Sequence, residues 1–260
     1  MSAVRSRSLR KAERQQKIMI ELHARPTVRI AELAQAFGVT TETVRRDLDE
    51  LSDKGFVTRT YGGAAPSIIH EPDLQSRHRR MVWERARIAK RAAALVEPDD
   101  VVLIDVGSTT THFARQLSTL PIPFTAITNS VSAAAALARA RGARVLLCPG
   151  EYDGREGGVF GVETVNFIGR FRANKAFIGA GGLTTEGPTE VDSQASWVKR
   201  AMIERAQRTI LLADHGKFGV QLFEVVCPLP RLSALVTDRE PPSDLRAALE
   251  AGGVSVLVAG

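Results

Sequence analysis

Thr40-Thr41-Glu42-Thr43-Val44-Arg45-Arg46-Asp47-Leu48-Asp49-Glu50-Leu51 is the stretch that decides how the first part of this chain folds. Val44, Leu48 and Leu51 recur at i, i+4 and i+7, which predicts a helix with one buried stripe. Thr40 stands where a hydroxyl caps the first turn. The surface opposite the stripe is divided along its length. Thr41, Thr43, Arg45 and Arg46 lie near the start, whereas Asp49, Glu50 and Asp53 crowd the end. Only the N-terminal half suits phosphates, so the pattern reads as a recognition helix that enters the major groove of DNA.

The flanking residues supply the rest of a winged helix-turn-helix. Ile30, Leu33, Ala34 and Phe37 keep a 3.6-residue period, and Gly38 follows where a left-handed C-cap belongs. An earlier helix, about Ala12 to His23, contributes Ile18, Met19 and Leu22, and Pro26 separates it from the second. After Lys54-Gly55, the run Phe56 to Tyr61 has strand character and Gly62-Gly63 end it, giving a short wing with Arg59 in it. The competing reading of this region is a three-helix scaffold that binds protein.

Charge separates two parts of the 260 residues. Residues 1–65 carry 12 Lys and Arg against 8 Asp and Glu, and residues 66–91 carry 7 against 3. Residues 92–260 carry 16 against 18, so attraction to a polyanion is local to the N-terminal part. Arg5, Arg7, Arg10 and Lys11 read as a disordered basic arm rather than a signal peptide, because no apolar run accompanies them. No stretch of some 18 apolar residues occurs, which points to a cytoplasmic protein. Cys148 and Cys227 have no metal-ligand spacing and read as core thiols; no metal or cofactor is expected.

Ala64-Ala65-Pro66-Ser67 and the stretch to Pro72 read as a connector, followed by a helix from about Gln75 to Leu95. Beyond it, short β-branched runs alternate with helical stretches, the signature of an α/β domain with a largely parallel sheet. The expected strands lie near Val101 to Val106, Phe124 to Thr128, Val145 to Cys148, Lys175 to Ala180, Thr209 to Ala213, Ala234 to Thr237 and Val254 to Val258.

The loops at the ends of these strands carry the chemistry. The first strand runs into Asp105-Val106-Gly107-Ser108-Thr109-Thr110, the second into Thr128-Asn129-Ser130, the third into Pro149-Gly150-Glu151 and the fourth into Gly179-Ala180-Gly181-Gly182. Ligands of open α/β sheets bind at the carboxyl ends of strands, where glycines admit backbone amides and a helix N-terminus favours an anion. A phosphate suits such loops. Neither nucleotide-binding fingerprint is present, which disfavours a nucleoside triphosphate. A fifth loop, Asp214 to Gly219, places Lys217 where it meets a phosphate or pairs with Asp214. His112, on the helix after the first loop, reads as packing.

In these motifs the chain resembles the DeoR family of bacterial transcriptional repressors. The shared motifs are Thr-Val-Arg-Arg-Asp-Leu, a wing ending Tyr-Gly-Gly-Ala, Asp-Val-Gly-Ser-Thr-Thr, Thr-Asn-Ser, Val-Lys-Arg-Ala-Met at 198–202 and Ala-Asp-His-Gly-Lys-Phe-Gly. The resemblance implies a winged helix-turn-helix that binds double-stranded operator DNA. It also implies a sensor related in fold to ribose-phosphate isomerases and CoA transferases, with a phosphorylated sugar or sugar alcohol as the usual signal. Carried over, it assigns the phosphate to Gly107, Ser108, Thr109, Thr110, Thr128, Asn129 and Lys217, and the polyol end to Asp105, Glu190, Asp192 and Lys199. The family commonly has Ser where this chain has Gly216.

The resulting expectation is a DNA-binding unit at 1–65, a linker at 66–78, and an α/β unit at 79–260 for effector sensing and oligomerisation. Thr41, Thr43, Arg45, Arg46 and Arg59 touch DNA, and a homodimer or homotetramer represses a carbohydrate or polyol operon until the effector binds. The alternative is an isomerase or acyl-transfer enzyme fused to a DNA-binding head, with Glu190 and Asp192 as its carboxylates. A DNA binder with no small-molecule switch is a third reading.

Overall fold

A computed structural model describes residues 11–24, 27–53, 57–66, 74, 77, 79 and 81–260. The chain divides into two compact units, Met1–Glu71 and Pro72–Gly260. Arg5, Arg7, Arg10, Pro26, Lys54-Gly55, Phe56 and most of the expected linker lie outside the described residues.

The first unit runs α1 (Lys11–Ala24), β1 (Val28–Arg29), α2 (Ile30–Phe37), α3 (Thr41–Asp53), β2 (Val57–Thr60) and β3 (Gly63–Pro66). Ile18 and Leu22 of α1, Leu33 and Phe37 of α2, and Val44, Leu48 and Leu51 of α3 meet in one apolar core, which Val28, Val57 and Ala64 close from the sheet side. Gly38 ends α2 with φ 64°, and its N–H returns to the last turn. The three strands pair antiparallel in the order β1-β3-β2. Two expectations change here. Ala64, Ala65 and Pro66 form the central strand of the wing rather than a connector. The reason is steric: a Cβ on Gly63 would lie 2.0 Å from the Val28 carbonyl oxygen, so small residues let three strands crowd together. Lys11 opens α1 and pairs with Glu50 at 2.5 Å, so it does not belong to a loose arm.

The second unit begins with α4 (Val82–Ala93) and continues through β4 (Val101–Ile104), α5 (Ser108–Leu117), β5 (Phe124–Thr128), α6 (Val131–Leu137) and β6 (Ala143–Leu147). Next come the hairpin β7 (Glu151–Asp153) and β8 (Gly158–Phe160), then α7 (Val162–Gly169), β9 (Ala173–Ile178), β10 (Gly182–Leu183) and β11 (Pro188–Glu190). The chain finishes with α8 (Ser193–Arg205), β12 (Ala206–Leu212), β13 (Glu224–Val225), β14 (Ala234–Thr237), α9 (Ser243–Ala251) and β15 (Ser255–Val258).

Seven strands form one parallel sheet in the order β15-β14-β12-β9-β4-β5-β6. Alternation along each strand feeds two cores. Val102, Ile104, Phe177, Ile210 and Leu212 face the layer of α4, α5 and α6, where Phe113 stacks on Phe177 at 4.2 Å. Leu103, Ala176, Ile178 and Leu211 face the other layer, with Ile168 of α7, Met202 of α8 and Leu249 of α9. Burial on both faces explains why these strands read as continuous apolar runs.

Within the helix expected from Gln75 to Leu95, α4 spans Val82–Ala93. Met81 just before it takes a left-handed backbone, φ 49°, which interrupts the helix, and before it Leu74 and Arg77 are helical. The strand expected at Thr209 begins earlier, at Ala206, directly after α8. The short pairings β7–β8 and β10-β11-β13 had no periodicity to announce them.

Candidate functional site

On the first unit, Thr40 Oγ1 accepts from the Thr43 N–H at 3.1 Å and fixes the start of α3. The buried stripe then turns Arg45 and Arg46 outward, with side chains 59% and 78% exposed. Glu42 steers both, at 4.0 Å from Arg45 and 3.4 Å from Arg46. Thr41 is exposed, while the Thr43 hydroxyl is shared with Thr40 at 2.8 Å. Arg59 sits differently from a free wing cation. Its Nε lies 3.2 Å from Asp49 on α3, and its Nη1 is buried without a hydrogen-bond partner. Asp49 therefore anchors the wing to the recognition helix. Asp47 points inward, where the Arg14 guanidinium of α1 grips it with Nε and, at 3.0 Å, Nη2. Sequence reading missed this pair, because partners 33 residues apart on two helices share no local pattern.

On the second unit, the strand ends converge as the parallel order dictates. β4 delivers Asp105 and Gly107, and Gly107, with φ 156°, turns the chain into α5. No side chain caps α5. Its first helical bond runs from the Thr111 N–H to the Gly107 carbonyl, so the amides of Ser108, Thr109 and Thr110 precede the helical ladder. The Thr110 and Thr111 hydroxyls both donate to the Gly107 carbonyl, at 3.1 and 2.6 Å. Such an end binds anions by geometry and dipole.

Thr128 and Asn129 hold this loop from the neighbouring strand. The Thr128 hydroxyl donates to the Ile104 carbonyl at 2.6 Å, and Asn129 Oδ1 accepts from the Val106 N–H at 3.0 Å. Asn129 Nδ2 donates to the Val159 carbonyl at 3.2 Å, so both of its ends serve the backbone. Gly150 is required by packing: a Cβ there would stand 2.2 Å from Thr164 Oγ1. Gly181 is buried, and its N–H pairs with the Thr189 carbonyl at 3.0 Å.

Asp105, Lys199 and Glu190 form a buried triad. Lys199 Nζ lies 2.8 Å from Asp105 Oδ2 and 3.1 Å from Glu190 Oε2. The Gly179 N–H also donates to Asp105 Oδ2, at 3.2 Å, whereas Asp105 Oδ1 is buried without a hydrogen-bond partner. Burial by itself lowers the pKa of Lys199; Asp105 and Glu190 outweigh it and push the ammonium well above its ordinary range. Lys199 is therefore held charged and does not serve as a neutral amine. Asp192, at the start of α8, caps that helix by accepting from the Gln194 N–H at 2.8 Å.

The loop after β12 carries half-buried Lys217 at the end of a short 3-10 turn. Asp214, the partner considered for Lys217, accepts from Arg85 Nε and Nη2, both at 3.2 Å, and from the Gly216 N–H. The buried Asp238 receives the His215 N–H at 2.8 Å and lies 2.6 Å from its Nδ1. Neither Arg85 nor Asp238 was signalled by sequence, because each belongs to a different strand-end or helix. His112 is half-buried on α5; burial first, then Arg115 and Arg85, lowers its pKa, as fits a packed neutral ring. Among the described residues no group of His, Cys, Asp and Glu could hold a metal, and no helix is long and apolar enough to cross a membrane.

The fold and these sites define a winged helix-turn-helix regulator with a separate α/β sensing unit. Residues 14–67 match the DeoR-like helix-turn-helix domain and residues 81–239 match the DeoR C terminal sensor domain, so the chain belongs to the DeoR family of transcriptional regulators. It is 33% identical over 216 residues to the glycerol-3-phosphate regulon repressor of Escherichia coli strain K12, covering 81% of this chain and 84% of that one. With the transcriptional repressor GlcR of Bacillus subtilis strain 168 it shares 31% over 222 residues, 85% of each chain. Among solved structures, ribose 5 phosphate isomerase A from Neisseria gonorrhoeae is 18% identical, with a TM-score of 0.39 over 52% of each chain.

Proposed function

We propose that this regulator represses a carbohydrate or polyol operon and releases its operator when a phosphorylated sugar or sugar alcohol binds the second unit. The observation that carries this reading is the pairing, on two consecutive turns of chain, of an uncapped helix N-terminus with the buried, partly unsatisfied carboxylate of Asp105. The amides of Ser108, Thr109 and Thr110 take the phosphate with Lys217, and Asp105, Glu190 and Lys199 take the hydroxyls. Asp105 Oδ1 lacks only a donor, which a sugar hydroxyl supplies. Gly107, Thr128 and Asn129 shape the phosphate loop. Gly150 and Gly181 lie in adjoining loops.

Thr41, Thr43, Arg45 and Arg46 meet the DNA, and Arg59 fixes the wing beside them. The N-terminal unit, through residue 65, is assigned to DNA, residues 66–78 to the link, and residues 79–260 to sensing and assembly. A dimer or larger oligomer in the cytoplasm presents paired recognition helices to repeated half-sites. The triad binds without turnover, since a locked ammonium between its carboxylates suits hydrogen bonding to a bound polyol. The relative named as repressor of a glycerol-3-phosphate regulon supports this reading.

The deciding experiment is a thermal-shift screen of the full chain against sugar and polyol phosphates beside their unphosphorylated parents. A ligand that binds the native state raises the melting temperature in proportion to its occupancy. The expected result is a shift confined to one phosphate ester, followed by release of operator DNA at the same concentration. A shift produced equally by the unphosphorylated parent overturns the phosphate assignment.

A further inference from the structure

The effector reading leaves one part of α8 and of the small sheet without a role. Glu190 of β11 and Glu224 of β13 stand directly opposite each other in the antiparallel pairing of those strands, so their side chains share one face of the ribbon. Like charges in that position repel. Consecutive cations of α8 answer them: Lys199 Nζ lies 3.1 Å from Glu190 Oε2, and Arg200 Nη1 lies 2.7 Å from Glu224 Oε1. Arg200 is fixed in place by donating from Nε to the Val226 carbonyl at 2.8 Å and from Nη2 to the Val225 carbonyl at 2.7 Å.

Among the described residues, three of the buried polar atoms that lack a hydrogen-bond partner belong to this region: Asp105 Oδ1, Glu224 Oε2 and Ser196 Oγ. Ser196 is fully buried on α8, three residues before Lys199, a spacing that makes the two neighbours on one helix face. Burial pushes the pKa of Glu224 up, but Ser193, Arg200 and Ser196 outweigh it and hold the carboxylate below its ordinary range. Glu224 is therefore kept charged with one oxygen idle. Buried polar atoms left unpaired cost free energy, which a bound group that pairs them recovers. Side-chain exposure rises from 0% at Asp105 through 7% at Glu190 to 23% at Glu224, so this row of carboxylates opens to solvent at Glu224.

We propose that Ser196 and Glu224 form a second hydroxyl subsite, so that the effector is a phosphorylated polyol or sugar longer than glycerol phosphate. Its inner hydroxyls meet Asp105 and Glu190, and its outer hydroxyls meet Glu224 Oε2 and Ser196 Oγ. This rests on the effector reading above. An ionised carboxylate only accepts hydrogen bonds, whereas a serine hydroxyl donates and accepts. A sugar hydroxyl also does both, so it can donate to the idle oxygen of Glu224 while accepting from Ser196. Asp105, Glu190 and Glu224 face only Lys199 and Arg200, which leaves an excess negative charge and disfavours a tail that ends in a carboxylate.

The test is calorimetric titration of the full chain with glycerol 3-phosphate, erythritol 4-phosphate, ribitol 5-phosphate, glucitol 6-phosphate and glucose 6-phosphate. Affinity is expected to rise at least about tenfold from the glycerol ester to the best of the longer esters, the gain of one charge-assisted contact. Ser196→Ala and Glu224→Gln each bring that longer ester down to the affinity of the glycerol ester. Ser196→Ala also reports on the free protein. It removes a hydroxyl that has no partner, so the melting temperature holds or rises; a fall would show a structural role for the hydroxyl and overturn the subsite. Equal affinity for all the esters, or weakening of the glycerol ester as strongly as the longer ones in the folded variants, overturns the subsite and leaves the effector site standing. Binding by none of the esters overturns the effector reading and the subsite together.

Discussion

The terminal methyl of Met81 lies 3.3 Å from the point where a Cβ on Gly216 would stand. Met81, in its left-handed backbone, thus reaches into the space beside Asp214 and the turn of Lys217.

Gly216→Ser is expected to crowd both Met81 and Asp214 Oδ1, which stands 3.0 Å from the same point. The thioether can yield, so the cost is about 1 kcal/mol. Met81→Ala in the same chain removes most of that penalty. Chemical denaturation of the two single variants and the double variant measures the coupling, and strict additivity would refute it.

Asp47→Ala leaves the Arg14 guanidinium without its carboxylate in the core of the DNA-binding unit. Removing one member of a buried pair costs about 3–5 kcal/mol. The helical signal of the first unit should melt at lower temperature while the second unit's transition stays. DNA binding falls with folding of that unit, and stabilising osmolyte restores both.

Arg45→Ala and Arg46→Ala separate base reading from backbone contact. A residue bidentate to guanine is worth about 1–3 kcal/mol of discrimination, and its loss relaxes preference at one operator position. A phosphate contact instead weakens all sequences alike and lowers the salt slope by about 0.9. Glu42→Gln frees both arginines from their carboxylate, so it should tighten binding to any DNA, as competition binding at two salt concentrations would show.

Lys217→Ala is expected to leave operator affinity unchanged while raising the effector concentration needed for release by at least about tenfold, the loss of one charge-assisted contact. Fluorescence anisotropy of labelled operator, titrated with the ester found in the screen, provides the measurement. Unchanged release places the phosphate elsewhere.

Burial pushes the Cys148 thiol up to about 12 and the Cys227 thiol to about 11. Unfolded thiols ionise near about 8.5. Below that value both states are neutral and the thiols have no effect on stability. As pH rises from about 8.5 toward 11 and 12, only the unfolded chain gains the favourable ionisation, so stability falls. Denaturation midpoints at pH 8 and pH 10 should show this decline, and Cys148→Ala with Cys227→Ala should flatten it. In the native protein at pH 8 both thiols resist alkylation.

The sequence alone determined the local elements. The stripe of Val44, Leu48 and Leu51 specified α3, and Thr40 and Gly38 marked where helices start and stop, because caps and 3.6-residue spacing act within a few residues. Seven apolar runs announced the seven strands of the main sheet, most plainly the central ones, because a strand buried on both faces must be apolar throughout. The loop motifs placed Gly107, Asp105 and Lys217 at strand ends. Tertiary structure decided what those residues touch. Arg14 finds Asp47 across 33 residues, and Arg85 finds Asp214 across 129. Asp105 follows β4 of the main sheet, Glu190 ends β11 of the small sheet and Lys199 lies on α8, so they meet only once the two sheets and the helix pack; Asp192, two residues beyond Glu190, caps that helix. A charged side chain carries no mark of its partner in its own neighbourhood. Which opposite charge it meets, and whether water separates them, is fixed only when strand order and helix packing bring distant segments within a few ångströms.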